Sequence, residues 1–187
     1  MIGFIDRILR KKNTKGLKKT GCNPDIDRSV RFKNKQYISI GDNVMITRNG
    51  RVEAWDQYND VTYTPSITIG DNTLINENCH IGCIDRVTIG NDCLFGSNVM
   101  ITDHSHGANR PDEINVHPAH RNLYSKGPVT IGNKVWLCEN VVVLPGVTVG
   151  DNSVIGANSV VTKNIPSNSV AVGNPARVVK TVDEADK

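Results

Sequence analysis

The sequence predicts an all-β fold, a parallel solenoid built from a repeat of six residues. Between residues 131 and 166 an aliphatic side chain recurs at every sixth position, in the order Ile131, Leu137, Val143, Val149, Ile155 and Val161. A period of six fits neither an α-helix nor an alternating strand. It fits a coil of short flat sides, in which each hexad supplies one side of a triangular prism. Such repeats must stack to bury their apolar faces.

The same period extends upstream of this block, with interruptions. The fifth position of each hexad is small or β-branched, and the residues there are Val135, Val141, Val147, Ser153 and Ser159. Earlier hexads open at Ile40, Ile46, Ile69, Ile75, Ile81, Ile89, Phe95 and Ile101. Cys79 and Cys93 occupy the fifth position, where a thiol packs as a compact hydrophobe. We therefore predict a solenoid domain over residues 36–166.

Two stretches break the period, residues 47–66 and 102–130. The first carries Trp55, Tyr58 and Tyr63, and is expected to form a pocket, a subunit contact or a plain surface loop. The second is a long excursion loop, and a long insertion in a compact domain usually carries function. It holds four of the five histidines, namely His104, His106, His117 and His120. The fifth, His80, is expected to be a solvated residue outside this cluster.

The termini are expected to lie outside the solenoid. Residues 2–12 read as a short N-terminal amphipathic helix, followed by a basic, loop-like arm that ends at residue 35. The helix could lie on an anionic membrane surface or dock a partner, but we favour a cap over the open end of the solenoid. Residues 167–187 are expected to leave the coil at Pro166 as a tail with frayed last residues.

Charge and composition exclude several classes of protein. Residues 1–35 hold 11 Lys or Arg against three Asp, whereas the whole chain has a net charge of +3, so a basic arm precedes an acidic body. The arm lacks interleaved aromatics, so we expect no nucleic-acid binding. The sequence has no run of about 18 apolar residues, so no transmembrane helix is predicted. The N-terminus is too charged for a secretory signal. Five cysteines without a CxxC pair indicate reduced thiols in the cytoplasm.

Four motifs together resemble those of a known family. They are VTIGNKVW from Val129, LPGVTVGDNSVIGANSVVTKNIP from Leu144, GNPARV from Gly173 and TDHSHG from Thr102. They resemble the left-handed β-helix hexapeptide-repeat acyltransferases, in particular sugar O-acetyltransferases of the galactoside/maltose type and of the capsule and O-antigen type. The likeness covers residues 36–180. It implies a left-handed coil, a homotrimer, acetyl-CoA as donor, and direct transfer without an acyl-enzyme.

The resemblance also implies that a loop histidine acts as general base, a task suited to a side chain that titrates near neutral pH. We expect His104 to be this base in preference to His106, which we place among the substrate-binding residues. Asp103 or a backbone carbonyl would fix the tautomer of His104. The segment between His104 and Trp136 is longer here than in the galactoside branch, which leaves the roles of His117 and His120 open.

Further site residues follow from the resemblance alone. It implies a groove for coenzyme A between neighbouring subunits, lined by Trp136, Ala157, Thr162, Lys163, Arg177 and Lys180. The indole would meet the thioester end, and the cations would pair with the nucleotide phosphates. For the acceptor sugar it implies Asn76, with Asp85 one place away from a family aspartate. Cys138 replaces a usual glycine and is expected to be structural.

The predicted activity is therefore acetyl transfer to a hydroxyl of a sugar or cell-surface glycan, which could be lipid-linked. Residues 1–12 would then supply any peripheral contact with the inner face of the membrane. One alternative is N-acylation of a nucleotide-linked amino sugar; another is a solenoid used only for binding. A third is a metalloenzyme like the gamma-class carbonic anhydrases, whose pattern includes two zinc-binding histidines five apart. No histidine pair here has that spacing, so no metal is expected.

Overall fold

The computed structural model describes residues 13–182, so the helix predicted over residues 2–12 lies outside the described residues. Within residues 13–182 the secondary structure is almost entirely β, with 3₁₀ turns at Lys35–Tyr37, Pro111–Glu113 and Pro118–His120. Three sheets of stacked parallel strands enclose one apolar core, an arrangement typical of a left-handed β-helix. The predicted all-β solenoid is therefore confirmed at this level.

Each coil contributes one strand to each sheet in turn. The first sheet contains β1 (Lys19–Thr20), β4 (Ile38–Ile40), β9 (Ser66–Ile69), β12 (Arg86–Ile89), β17 (Val129–Ile131) and β20 (Thr148–Val149). The second contains β2 (Asp25–Ile26), β5 (Met45–Ile46), β10 (Leu74–Ile75), β13 (Leu94–Phe95), β18 (Trp136–Leu137), β21 (Val154–Ile155), β23 (Ser169–Val172) and β24 (Arg177–Thr181). The third contains β3 (Arg31–Lys33), β6 (Arg51–Ala54), β11 (His80–Cys83), β14 (Met100–Thr102), β19 (Val142–Val143) and β22 (Val160–Val161).

The hexad pattern decides which side chains fill the prism. The first and fifth hexad residues point inward and are buried, from Ile131 and Val135 through to Val161. Cys79 and Cys93 are buried at the fifth position, as predicted, and their thiols donate to the carbonyls of Gly96 (3.2 Å) and Gly132 (3.1 Å). Burial raises the pKa of Cys79 to about 11, so this thiol stays protonated and packs as an apolar group.

The corners of the prism depend on a left-handed backbone at the fourth hexad position. Among the residues with positive φ at this position are Asn72, Asn78, Asp92, Asn98, Lys134, Asn140, Asn152 and Asn158. Asparagine tolerates this conformation better than other non-glycine residues. The amides also form a ladder between coils, as when Asn98 Nδ2 donates to Asn140 Oδ1 at 3.1 Å.

The prism is longer at both ends than the sequence predicts. The first strand of the solenoid begins at Lys19, within the expected basic arm. Backbone amides of this segment donate to the next coil, as Asp25 N does to Val44 O at 2.8 Å. Ile26 and Val30 are buried at the first and fifth places of a hexad, and Phe32 follows Ile26 by six residues, so the period of six extends into this coil, which the prediction omitted. At the other end β23 continues the second sheet, and β24 returns antiparallel beside it. The part of the expected tail from Ser169 to Thr181 is thus paired with the solenoid.

The first interruption is also shorter than the predicted 47–66. Residues Arg51–Ala54 form a regular strand of the third sheet, paired with β11. The true excursion is a hairpin of β7 (Gln57–Tyr58) and β8 (Val61–Thr62). The second interruption contains another hairpin, in which β15 (His104–His106) pairs antiparallel with β16 (Leu123–Ser125). Both excursions therefore carry regular structure, and they leave the prism at the corner between the third and first sheets.

Candidate active site

A buried aspartate stands where the chain leaves the prism after β14. Asp103 has no exposed surface, and its carboxylate accepts hydrogen bonds from the backbone N–H groups of Ile84 (2.9 Å) and Asp85 (2.8 Å). Its third partner is Nδ1 of His104, 2.9 Å from Oδ1. Burial acts to raise the pKa of Asp103, but the bonds from His104, Asp85 and Ile84 outweigh it, so the pKa lies below its usual value.

The bond to Asp103 fixes the tautomer of His104. A buried carboxylate accepts, so Nδ1 carries the proton and Nε2 is left as an acceptor. The antiparallel pairing of β15 with β16 holds the backbone, and Thr102 Oγ1 lies 3.3 Å from Nδ1. The side chain of His104 is only 13% exposed. This carboxylate–imidazole pair has the arrangement that a general base requires.

A glycine allows a second imidazole to approach His104. A Cβ at Gly82 would lie 3.2 Å from His104 Cε1 and 3.5 Å from His80 Nε2, so both rings lie against the bare backbone of β11. The structure thus places His80 beside His104 on a strand, and the expectation of a solvated residue is wrong. The sequence did not predict this contact because His80 lies 24 positions from His104. The available signal was the alternation of side chains along a strand, which places His80 and Gly82 on the same face.

His80 is held by a carboxylate of its own. Its Nε2 lies 3.2 Å from Glu53 Oε2, and Arg51 binds the same carboxylate through Nε (3.0 Å) and Nη2 (2.8 Å). Burial and the nearby Arg51 charge lower the pKa of His80, although Glu53 acts in the opposite direction. Burial also acts to raise the pKa of Glu53, but its bonds to Arg51 and His80 prevail and lower it. His80 is therefore a neutral imidazole over most of the physiological range.

The two excursions bind each other beside these histidines. Tyr58 Oη donates to the carbonyl of Ala119 (2.7 Å), and Tyr63 Oη donates to the carbonyl of Leu123 (3.0 Å). The ring of Tyr58 meets His106 edge-on, with centroids 5.3 Å apart. Tyr58 and Tyr63 of the first excursion therefore pack on the histidine loop.

A cleft of about 400 Å³ lies between the two excursions. Its lining residues come from three consecutive layers of the prism and are Thr62, Tyr63, Thr64, Ile84, Asp85, Leu123, Tyr124 and Ser125. The Asp103 carboxylate that holds His104 also holds the backbone of Ile84 and Asp85. The cleft and the candidate base are thus built around one buried group. Asp85, a predicted acceptor residue, lines this cleft.

A separate set of predicted residues lies on the second sheet. Register places five outward side chains of this sheet in one row across adjacent strands, and they are Leu94, Trp136, Val154, Val170 and Lys180. Trp136 is 46% exposed. An exposed indole, two valines and a terminal cation fit an elongated ligand with an apolar arm and an anionic end. The predicted donor residues Trp136 and Lys180 are therefore brought together by the fold.

The remaining predicted residues are more dispersed. Ala157, Thr162, Lys163 and Arg177 are exposed around the last coils. Ala157 follows β21 and Arg177 begins β24 on the second sheet, whereas Thr162 and Lys163 follow β22 on the third. Asn76 follows β10 on the second sheet, away from Asp85.

His104 and Trp136 lie on different faces of the same prism. The imidazole covers β11 of the third sheet, whereas the indole projects from the second sheet. The described part of one chain therefore does not join the candidate base to the candidate donor groove. Within residues 13–182, no cluster of three or more His, Cys, Asp or Glu side chains is arranged for a metal ion. The same residues include no helix of the length and apolarity needed to span a bilayer.

Comparison with known families agrees with this architecture. Residues 128–163 match the family described as bacterial transferase hexapeptide (six repeats), and residues 86–107 match the hexapeptide repeat of succinyl-transferase. The chain is 39% identical over 168 residues to the putative lipopolysaccharide biosynthesis O-acetyl transferase WbbJ of Escherichia coli K12, a match that covers 86% of this chain and 82% of that relative.

Two further likenesses concern a curated relative and a solved structure. The galactoside O-acetyltransferase of Escherichia coli K12 is 43% identical over 131 residues, which cover 67% of this chain and 59% of that protein. A crystal structure of AntD, an N-acyltransferase from Bacillus cereus in complex with dTDP and 3-hydroxybutyryl-CoA, superposes with a TM-score of 0.74. That match covers 94% of this chain and 89% of the other at 18% identity, so the likeness is one of fold.

Proposed function

We propose that this chain, which belongs to the hexapeptide-repeat acetyltransferase family, transfers an acetyl group from acetyl-CoA to a hydroxyl of a sugar or cell-surface glycan. The observation that carries the proposal is the buried Asp103–His104 pair, with Nδ1 of the imidazole 2.9 Å from the carboxylate. The identity to two O-acetyltransferases supports oxygen as the accepting atom.

In the proposed reaction His104 receives the proton of the acceptor hydroxyl. Acetyl-CoA supplies an activated acetyl group as a thioester. Nε2 of His104 takes the hydroxyl proton as the oxygen attacks, and Asp103 stabilises the imidazolium that results. The same imidazolium returns the proton to the departing thiolate. General base catalysis of this kind contributes about 10² to 10⁴ in rate.

We further propose a left-handed coil and a homotrimer with its active sites between subunits. The row from Leu94 to Lys180 fits the donor, and Ala157, Thr162, Lys163 and Arg177 would complete its groove. Because His104 covers a different face from Trp136, a neighbouring subunit is needed to bring a base to this groove. Asn76 and His106 remain proposed contacts to the acceptor.

The direct test is acetyl transfer by the purified chain to a panel of sugars, followed by release of the coenzyme A thiol and mass spectrometry of the product. We expect His104→Ala to lower kcat by about 10² to 10⁴, His106→Ala to raise KM, and His117→Ala to match wild type.

Four other results would contradict this assignment. Loss of kcat in His106→Ala but not in His104→Ala would move the base to His106. Transfer only to the amine of a nucleotide-linked amino sugar would favour N-acylation. Loss of activity on treatment with EDTA would indicate a metal enzyme, and no transfer to any acceptor would refute the proposal.

A further inference from the structure

Beside the candidate base lies a site that the chemistry of acetyl transfer does not itself require. We propose that the cleft between the two excursions binds the sugar unit next to the one that is acetylated. On this view the acceptor is an oligosaccharide or the end of a glycan chain, rather than a nucleotide-linked monosaccharide. The inference rests on the proposed function and names its acceptor class.

The position of the cleft supports this role. Ser125, which lines the cleft, is the cross-strand partner of His104, so their Cα atoms lie about 5 Å apart. On the opposite side, Ile84 lies in the bend that follows β11, two residues after Gly82, and Gly82 underlies the His104 ring. A ligand whose hydroxyl reaches His104 can therefore extend directly into the cleft.

The chemistry of the lining favours a neutral, hydroxyl-rich ligand. Tyr63 and Tyr124 offer ring surface for the apolar face of a sugar, and Tyr124 is 37% exposed. Asp85, Thr62 and Thr64 are exposed, and no described residue of the chain forms a hydrogen bond with their side chains. These groups are available for ligand hydroxyls.

The charge of the lining disfavours a nucleotide diphosphate. Asp85 is the carboxylate among the residues that line the cleft, and none of these residues is Lys, Arg or His. The neighbouring Arg110 covers the ring of Tyr124 at 5.7 Å from its centroid and does not line the cleft. A diphosphate placed here would face a carboxylate without a cation in the lining to offset the repulsion.

The cleft walls are fixed before any ligand arrives. Tyr63 Oη joins the first excursion to the carbonyl of Leu123, and Asp103 holds the backbone of Asp85. The Ser125 hydroxyl is engaged with Gly127, so this residue serves as wall rather than ligand contact. A preformed cleft loses little conformational entropy when a ligand binds.

The test compares acceptors of increasing length. Methyl glycosides of glucose, galactose, mannose, rhamnose and N-acetylglucosamine would be assayed beside their di- and trisaccharides, and beside UDP- and dTDP-linked amino sugars. We expect kcat/KM for at least one disaccharide to exceed that of its monosaccharide by about tenfold, or 1.4 kcal/mol. Tyr124→Ala and Thr64→Ala should reduce this ratio towards one, with monosaccharide kcat/KM unchanged.

Matched controls keep the result interpretable. Tyr124→Phe retains the ring and should keep the length preference, and Thr148→Ala removes a hydroxyl on the first sheet outside the cleft. Melting temperatures would establish that each variant folds. Equal kcat/KM for mono- and disaccharides in wild type, or a preference for the nucleotide-linked sugars, overturns the inference while acetyl transfer stands. Transfer to no acceptor refutes the proposed function itself.

Discussion

A single carboxylate organises the candidate site at the scale of residues. Asp103 holds the tautomer of His104, the turn that carries Asp85, and the chain at the start of the excursion. In each of these contacts a buried carboxylate oxygen of Asp103 accepts a hydrogen bond. Leaving a buried donor without its acceptor costs more than the net value of the bond, so Asp103 is expected to matter for stability as well as for catalysis.

We predict that Asp103→Asn lowers the free energy of unfolding by about 1 to 3 kcal/mol, because its amide nitrogen would face a backbone donor. The folded-state pKa of Asp103 is lowered, so its stabilisation is present above the unfolded value near pH 4 and is lost as the pH falls through the lowered pKa. Urea denaturation between pH 2.5 and 7 would check both points. An equally steep decline of stability with acid in the variant would contradict this account.

The corner turns decide the geometry at the scale of elements. At the fourth hexad position a left-handed residue redirects the chain from one sheet to the next, and its side chain bonds to the corner of the following coil. Glycine at the second position serves close stacking: a Cβ at Gly90 would lie 2.6 Å from the carbonyl oxygen of Gly132. Hexad sequence thus controls the shape of the prism through its polar corners as much as through its core.

Asn98, with φ of 61°, allows this to be tested. Asn98→Ala should destabilise by about 1 to 2 kcal/mol, because alanine lacks the short polar side chain whose local hydrogen bonding lets asparagine tolerate the left-handed region. Asn98→Gly loses the same bond to Asn140 but keeps the conformation, so it should cost less. The measurement is the free energy of unfolding in urea for both variants. A larger loss for glycine than for alanine would show that the amide ladder, not the backbone, dominates.

At the scale of the whole molecule, the base and the donor groove occupy different faces of one prism. His104 covers the third sheet and Trp136 projects from the second, so the proposed active site requires two chains. The apolar row that includes Leu94 and Val154 is suited to a subunit groove, since exposed apolar stripes commonly mark such contacts.

Subunit complementation tests this arrangement. We predict a particle of about three times 20.5 kDa by light scattering. His104→Ala should reduce activity because the base is lost. Trp136→Ala should reduce activity at low acetyl-CoA because the KM for acetyl-CoA rises roughly tenfold. Co-expressed in equal amounts, they should recover about a quarter of wild-type activity, because random mixing pairs intact side chains across one interface in four. No recovery would place both residues in a site within one chain.

The sequence anticipated features that repeat locally and missed those that depend on contacts between distant segments. Hexad spacing identified the buried residues from Ile131 to Val161 and the burial of Cys79, because an inward position follows directly from the period. The coil before Ile38 and the strand Arg51–Ala54 were not predicted, although Phe32 follows Ile26 and Val52 follows Ile46 by six residues. Their neighbours in sequence are mostly polar or charged, and backbone bonds to the next coil stabilise both segments.

The candidate site divides in the same way. The Asp103–His104 pair consists of neighbours in sequence, so local reasoning could name it, and family resemblance could name Trp136. His80 and Glu53 could not be named, since the stacking of β6 on β11 brings them together.

The sequence by itself determined the period, the inward-facing side chains and the chemical groups available for proton transfer, because these depend on residue type and spacing along the chain. Only the tertiary structure decided which layers stack, that two imidazoles meet over Gly82, and that a cleft opens between two excursions. The physical reason is that these features arise from coils stacked at fixed strand separation, which brings residues some 20 to 60 positions apart into contact.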